Sequence, residues 1–372
     1  MEEEMAFSPA RLNVARKRRR LTIGRLAEKS DISRQMLSGY INGSREPSAA
    51  TLQTLATALA IPLGFLTDSD IDEIPEGAVS FRARSKLTAT QRDGALSAGA
   101  IALLLSNWID DRFNLPDADI PTLSKLQPEE AAEVVRARWG LGSRPIDNVL
   151  HLLESRGVRV FSLAGDFLDV DAFSFYWQSK PFVWLNTRKS GERGRFDAAH
   201  ELGHLVLHGE DRQPSGQAEE AAANRFAAAF LMPRSSVVSA RLGHANAQRI
   251  LSAKGHWKVS AMALTHRLYE VHLISEWEYR QACVQLSRLG YRSGEPGGIA
   301  RESSQLLQKV FQAVREDFGS INKLAHDLNI SVNELNEHVF GLAPIALNGG
   351  ASLSEPIRPE LRLFDGLGKD SG

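Results

Sequence analysis

Helical spacing of apolar residues runs through most of the 372-residue sequence, and β-type alternation is confined to three short runs between residues 157 and 186. The prediction is a mainly α chain with a small β-sheet, an α+β fold. The chain is expected to divide further. We expect an all-α domain over 1–66, a linker and bridging helix over 67–125, and a central α+β domain over 126–274. A helical region over 275–347 and a disordered tail over 348–372 complete the division. The length allows two or three domains with real cores. The single cysteine excludes an intrachain disulfide framework and fits a reducing compartment. With no signal peptide and no apolar run long enough to span a bilayer, a cytoplasmic protein that makes no use of a membrane is expected.

The first domain is built from four capped helices. Ser8 and Pro9 open the first, which carries the basic run Arg16-Lys17-Arg18-Arg19-Arg20. Thr22 caps the second, with Leu26 and Ala27 inward. Ser33 caps the third, Arg34 to Asn42, and Gly43 ends it. Pro47-Ser48 opens the fourth, which continues through Leu52, Leu55, Ala56 and Leu59. Two short helices joined by a tight turn at Asp31-Ile32 form a helix-turn-helix. Residues 1–66 hold ten Lys/Arg against six Asp/Glu, whereas the whole chain has a net charge of −1. That asymmetry points to a nucleic-acid-binding module joined to something more acidic.

The Asp-rich stretch from Asp68 to Gly77 reads as linker, with order returning at Val79-Ser80-Phe81-Arg82. Residues 94–108 are apolar and read as a buried bridging helix; beyond it Pro116, Pro121 and Pro128 interrupt regular structure. Strands are expected over 157–163, 172–177 and 182–186, the last two forming a hairpin through Gln178 to Pro181. Helices are expected from Gly194 to His208, from Gln217 to the stop at Pro233, and from Arg249 to Leu289. Residues 320–335 repeat the pattern of 22–37, with Gly341 where Gly43 falls. In that second copy Val332 and Asn333 replace Arg34 and Gln35, and Glu334 and Glu337 would be repelled by phosphate. It is expected to pack against protein, as at a dimer interface.

The chemistry lies at His200-Glu201-Leu202-Gly203-His204. Residues four apart share a helix face, so His200 and His204 can grip one zinc ion while Glu201 reaches its water. Catalytic zinc takes a third protein ligand, and Glu220 is placed to supply it, with Glu219 as the alternative. Asn224, four residues beyond Glu220, can hold a ligand histidine from behind. Gly203 suits close packing or access to the metal. Candidates for steadying an oxyanion are Tyr176, Asn186, His208 and Tyr269.

The combination H-E-L-G-H, then E-x-x-A-N-x-F-A running to L-M-P, resembles the ImmA/IrrE family of metallopeptidases across about Leu126 to Ile274. That resemblance implies a zincin-like domain with Zn2+ as cofactor, His200, His204 and Glu220 as ligands, and Glu201 as general base. It also implies cleavage of a repressor, or control of transcription through one. The string L-A-x-x-x-x-I-S-x-x-x-L-S-x-x-x-N-G-x-R-x-P-S resembles the XRE-type, phage-repressor-like domain. It implies that the third helix enters the major groove, with Arg34, Gln35 and Ser38 reading bases and Asn42, Arg45, Arg16 and Arg18 on phosphate. Ile23 stands where such domains often have Gln, so one usual contact is missing.

The expected function is a DNA-binding transcriptional regulator with a zinc-dependent endopeptidase domain, acting in response to a signal. It would cleave a repressor, a partner protein or itself, and a cut in 67–93 would detach the DNA reader. Double-stranded DNA with a palindromic operator and a homodimeric state are expected from the first domain. The alternative is a non-catalytic repressor or antitoxin whose peptidase-like domain only binds a partner or effector.

Overall fold

The computed structural model describes residues 6–75, 79–83, 88–163, 170–210, 216–317 and 319–343. The tail expected over 348–372 lies outside them. In chain order the elements are α1 (Pro9–Arg18), α2 (Ile23–Ser30), α3 (Arg34–Ile41), α4 (Ala49–Leu59), α5 (Leu63–Leu66), β1 (Ser80–Ala83), α6 (Ala89–Asp110) and α7 (Pro128–Arg138). Then come α8 (Val149–Ser155), β2 (Arg159–Ser162), β3 (Val170–Trp177), β4 (Lys180–Leu185), α9 (Gly191–His208), α10 (Gln217–Leu231) and α11 (Arg234–Ser239). The last are α12 (Ala247–Trp257), α13 (Ala261–Glu270), α14 (Glu276–Arg288), α15 (Gln305–Asp317), α16 (Ile321–Asp327) and α17 (Val332–Val339). They form two compact units, one from 6–75, 88–117 and 306–343, the other from 79–83 and 118–305.

In the first unit the expected caps are in place. The hydroxyls of Ser8, Thr22, Ser33 and Ser48 accept backbone N–H groups at the starts of α1 to α4, each a contribution of about 1 kcal/mol. Leu12, Leu26, Leu37, Leu55, Leu59 and Leu66 are fully buried beneath them. Asp31 takes the left-handed conformation (φ 55°) between α2 and α3, which Asp tolerates better than most residues. The second copy repeats this backbone. Asn329 stands at φ 51°, Gly43 and Gly341 at 72° and 71°, and Ser320 and Ser331 cap α16 and α17. Its acidic face packs against α1 of the same chain, through Glu334.

The stretch read as linker begins differently from expectation. Ser8 Oγ donates to Asp70 Oδ1 (2.6 Å), Arg11 meets Asp68 (3.4 Å) and Lys17 meets Glu73 (3.1 Å). Ile71 and Ile74 are buried. Acids that look like a solvated run in sequence are partners for the cations of α1. Helix α6 is buried from Gly94 to Ile109 except at Leu104 and Asn107, and packs on α1. No helix among the described residues is long and apolar enough to cross a membrane.

The second unit centres on a four-stranded sheet of order β1-β3-β4-β2. The hairpin β3–β4 turns on Gln178 and Ser179 alone, both left-handed (φ 48° and 60°). The sequence placed Lys180 and Pro181 in that loop; the two-residue turn, of the type that matches strand twist, draws them into β4. Alternation then sorts the side chains. Phe173 and Phe175 pair across the strands with Trp184 and Phe182, and the rings stack at 4.9–6.4 Å with Phe161. The opposite face carries Ser174, whose hydroxyl meets Glu201, so this is the face toward α9. β1 covers the outer edge of β3, which leaves β1 and β2 as the sheet's edges.

Candidate metal centre and nucleic-acid interface

Ser190 caps α9, and the helix carries His200, Glu201 and His204 into the interior, at 0%, 0% and 4% exposure. Its neighbour α10 runs antiparallel to it, as the pairs His200–Asn224 and His204–Glu220 show. Gly203 is what brings the two together. A Cβ there would stand 3.1 Å from a ring carbon of Phe226 and 3.2 Å from the backbone of Ala223. Of the two uses the sequence left open for Gly203, close packing is the one found.

Three side chains converge across this contact. The Nε2 atoms of His200 and His204 are 3.0 Å apart, and each lies 3.3 Å from an oxygen of Glu220. Burial works against the charge on Glu220, but hydrogen bonds from the two imidazoles hold its carboxyl far below the usual range. His200, His204 and Glu220 form a group able to hold a metal ion, and Glu219 is no part of it. Donors bound to one ion at about 2.0–2.1 Å in a tetrahedron stand about 3.3 Å apart, so the spacing fits zinc. The donor set, two imidazoles and a carboxylate, is also one that zinc takes in catalytic sites. His200 Nδ1 meets Asn224 Oδ1 at 3.1 Å, an arrangement that fixes the ring with Nε2 turned toward Glu220.

Sequence reasoning missed Ser174. Its Oγ donates to Glu201 Oε2 at 2.7 Å and lies 3.3 Å from the backbone oxygen of Glu201. The only signal was a lone hydroxyl between Phe173 and Phe175 on the face that alternation turns toward the helix. The four oxyanion candidates separate. Asn186 spends both amide atoms on backbone, donating to Val170 O and accepting from Arg188 N. Tyr269 stacks on Tyr279 at 5.0 Å. The His208 ring lies 5.4 Å from that of His204. Burial, aided by the charge of Glu210, pushes the Tyr176 phenol up to about 12, so it keeps its proton at neutral pH.

On the first unit, Arg34, Gln35, Asn42 and Arg45 are exposed, and Ser38 is half-buried one turn beyond Arg34 on α3. These lie together on one face and the loop after it. Arg16 and Arg18 do not join them. Arg18 is 2% exposed; it donates to Glu334 (2.6 Å) and Glu337 (2.6 Å). Arg16 donates to Leu21 O and Asn13 Oδ1. The expectation that Arg18 meets phosphate is therefore corrected: α17 takes up its guanidinium inside the fold.

Comparison with known proteins matches this division. Residues 153–269 match the family described as IrrE N-terminal-like domain, a peptidase family, and residues 13–66 match the family described as helix-turn-helix. No curated protein matches the chain. The chain thus joins an XRE-type helix-turn-helix domain to an IrrE/ImmA-like peptidase-family domain.

Proposed function

We propose that this chain is a DNA-binding transcriptional regulator whose IrrE-like domain is a zinc-dependent endopeptidase, cleaving a repressor, a partner protein or the chain itself on a signal. The observation that carries the reading is the convergence of His200 Nε2, His204 Nε2 and Glu220 within 3.3 Å, beside a buried Glu201. Zinc held there would polarise a water and bring its pKa near 7. The protein's own part is positional. Asn224 orients His200, Ser174 fixes the Glu201 carboxylate, and that carboxylate takes the proton of the attacking water and passes it to the leaving amine. Tyr176, which keeps its proton at neutral pH, and His208, whose ring lies beside that of His204, are the donors for a developing oxyanion in this reading.

In the same reading Arg34, Gln35 and Ser38 contact base edges, while Asn42 and Arg45 meet phosphate, on a palindrome bound by a homodimer in the cytoplasm. Elemental analysis tests the centre. The native chain and Glu201→Gln should carry stoichiometric zinc, and His204→Ala and Glu220→Ala should lose it. Zinc absent from every form after zinc is supplied would leave a DNA-binding protein with a peptidase fold that only binds its partner.

A further inference from the structure

Beyond the candidate metal centre, α9 and α10 open onto a cavity of about 790 Å³, within the range of ligand sites. Its lining runs along α10 from Ala221 through Asn224, the residue that meets His200, to Ala228, and along α9 from Glu192 to Phe196. Met262, Tyr279 and Tyr291 give it apolar walls.

The charges lining it are unequal in their commitments. Glu192 and Glu295 both hold Lys254 (3.4 and 3.1 Å), and Glu270 lies against His266 (3.4 Å) and Arg267 (3.7 Å). Lys189 and Arg193 are each bound by Asp171 and Asp197. Arg225 has only a 3.4 Å contact to Ala221 O in its own helix, and Arg292 has no hydrogen bond or ion pair among the described residues. Both are exposed at the cavity. Each acid of the lining meets a cation and the side chains of Glu192 and Glu295 are buried, although each of the three keeps one oxygen without a hydrogen bond among the described residues, and the two exposed guanidinium groups remain for a ligand.

Arg225 lies five residues from Glu220, about 7.5 Å along the helix axis and about 140° around it. An extended peptide covers the axial distance in about two residues at 3.3 Å each. We infer that this cavity is the subsite for an acidic side chain, Asp or Glu, about two residues from the bond presented to the metal centre, with Arg225 and Arg292 selecting it. The inference rests on the endopeptidase reading for the direction of the peptide, and its binding step is testable without cleavage.

The probes are two rhodamine-labelled octapeptide pools, randomised except for a central pair of Glu or of Lys. Each is titrated by fluorescence anisotropy into full-length, zinc-supplied Glu201→Gln chain, with excess random duplex DNA present to occupy the first domain. The Glu pool should bind about tenfold tighter, the worth of one charge-assisted hydrogen bond. Adding Arg225→Glu and Arg292→Glu should reverse the order, because the lining then repels acids; Arg225→Gln with Arg292→Gln should only level it. Equal binding of the pools, binding of neither, or a Glu preference that survives charge reversal would overturn the inference. Mass spectrometry of the same pools with the wild-type chain separates the two readings. An Arg-dependent preference without cleavage leaves the subsite standing and removes the peptidase, whereas cleavage indifferent to Arg225 and Arg292 does the opposite.

Discussion

Replacing Arg18 by Ala should unfold more than it unbinds. The guanidinium lies 2.6 Å from both Glu334 and Glu337, with Arg18 and Glu334 at 2% and 6% exposure. Removing one partner of such a pair leaves the other charge buried, at about 3–5 kcal/mol. Arg19 still reaches Glu334 at 3.0 Å from a position 26% exposed, so the cost should fall at the low end, about 3 kcal/mol. Urea unfolding of the full chain measures it. The companion variant is Arg45→Ala, whose exposed side chain should cost under about 0.5 kcal/mol. Affinity for random duplex DNA, titrated against salt, should then separate them. Arg45→Ala should lower the slope of log K on log salt by about 0.9, the share of one phosphate contact, and Arg18→Ala should leave it unchanged once the variant is kept folded. Unaltered stability with a reduced slope in Arg18→Ala would refute the assignment of that residue to the fold's interior.

Gly203→Ala gains about 1 kcal/mol of helix propensity, yet its Cβ would press on the Ala223 backbone at 3.2 Å, an overpacking worth about 1–3 kcal/mol. A net loss in urea midpoint is expected, and a stabilised variant would count against the close α9–α10 contact. Ser174→Ala removes a donor from a buried carboxylate and should cost about 1–3 kcal/mol while zinc content stays at the wild-type level. Loss of zinc would show that Ser174 supports the ligands and not Glu201 alone. Acid should loosen the α1–α17 contact. Burial opposes the charge of Glu334, but His338, Arg18 and Arg19 around it hold its carboxyl well below the usual range. A group depressed in this way adds stability above its unfolded value of about 4.3, and loses it as pH falls through the folded value. Stability curves of wild type and Glu334→Gln should converge toward low pH; a constant gap would refute the pairing.

Local signals in the sequence carried far. The caps Ser8, Thr22, Ser33 and Ser48 are read from residue type because the hydroxyl's partner is always three residues on. The spacing of His200, His204, Glu220 and Asn224 is helix geometry, legible wherever the helices are. What stayed hidden depends on partners distant in sequence. Arg18 looks like its neighbours in a basic run until Glu334, 316 residues away, is seen beside it. Asp68, Asp70 and Glu73 look like a solvated linker until α1 supplies their cations. Ser174 could be placed on a strand face, but not opposite Glu201. The hairpin turn was set too long because Pro181 reads as a loop residue when its place beside Tyr176 is unknown.

The order of the segments in the first unit has a consequence for any cut. The chain leaves this unit after residue 75 to form β1, returns for α6, leaves again after residue 117 and comes back at 306. Its three segments, α1 to α5, α6 and α15 to α17, are held to one another by packing such as that of α1 on α6 and by pairs such as Arg18–Glu334 and Asp68–Asn329, not by short connections. A single nick between β1 and α6 would therefore sever the backbone without freeing the DNA-reading helices, as in split proteins reassembled from fragments. Proteolysis would release them only when the nick is joined by something that pulls the pieces apart, or when it falls inside α1 to α5.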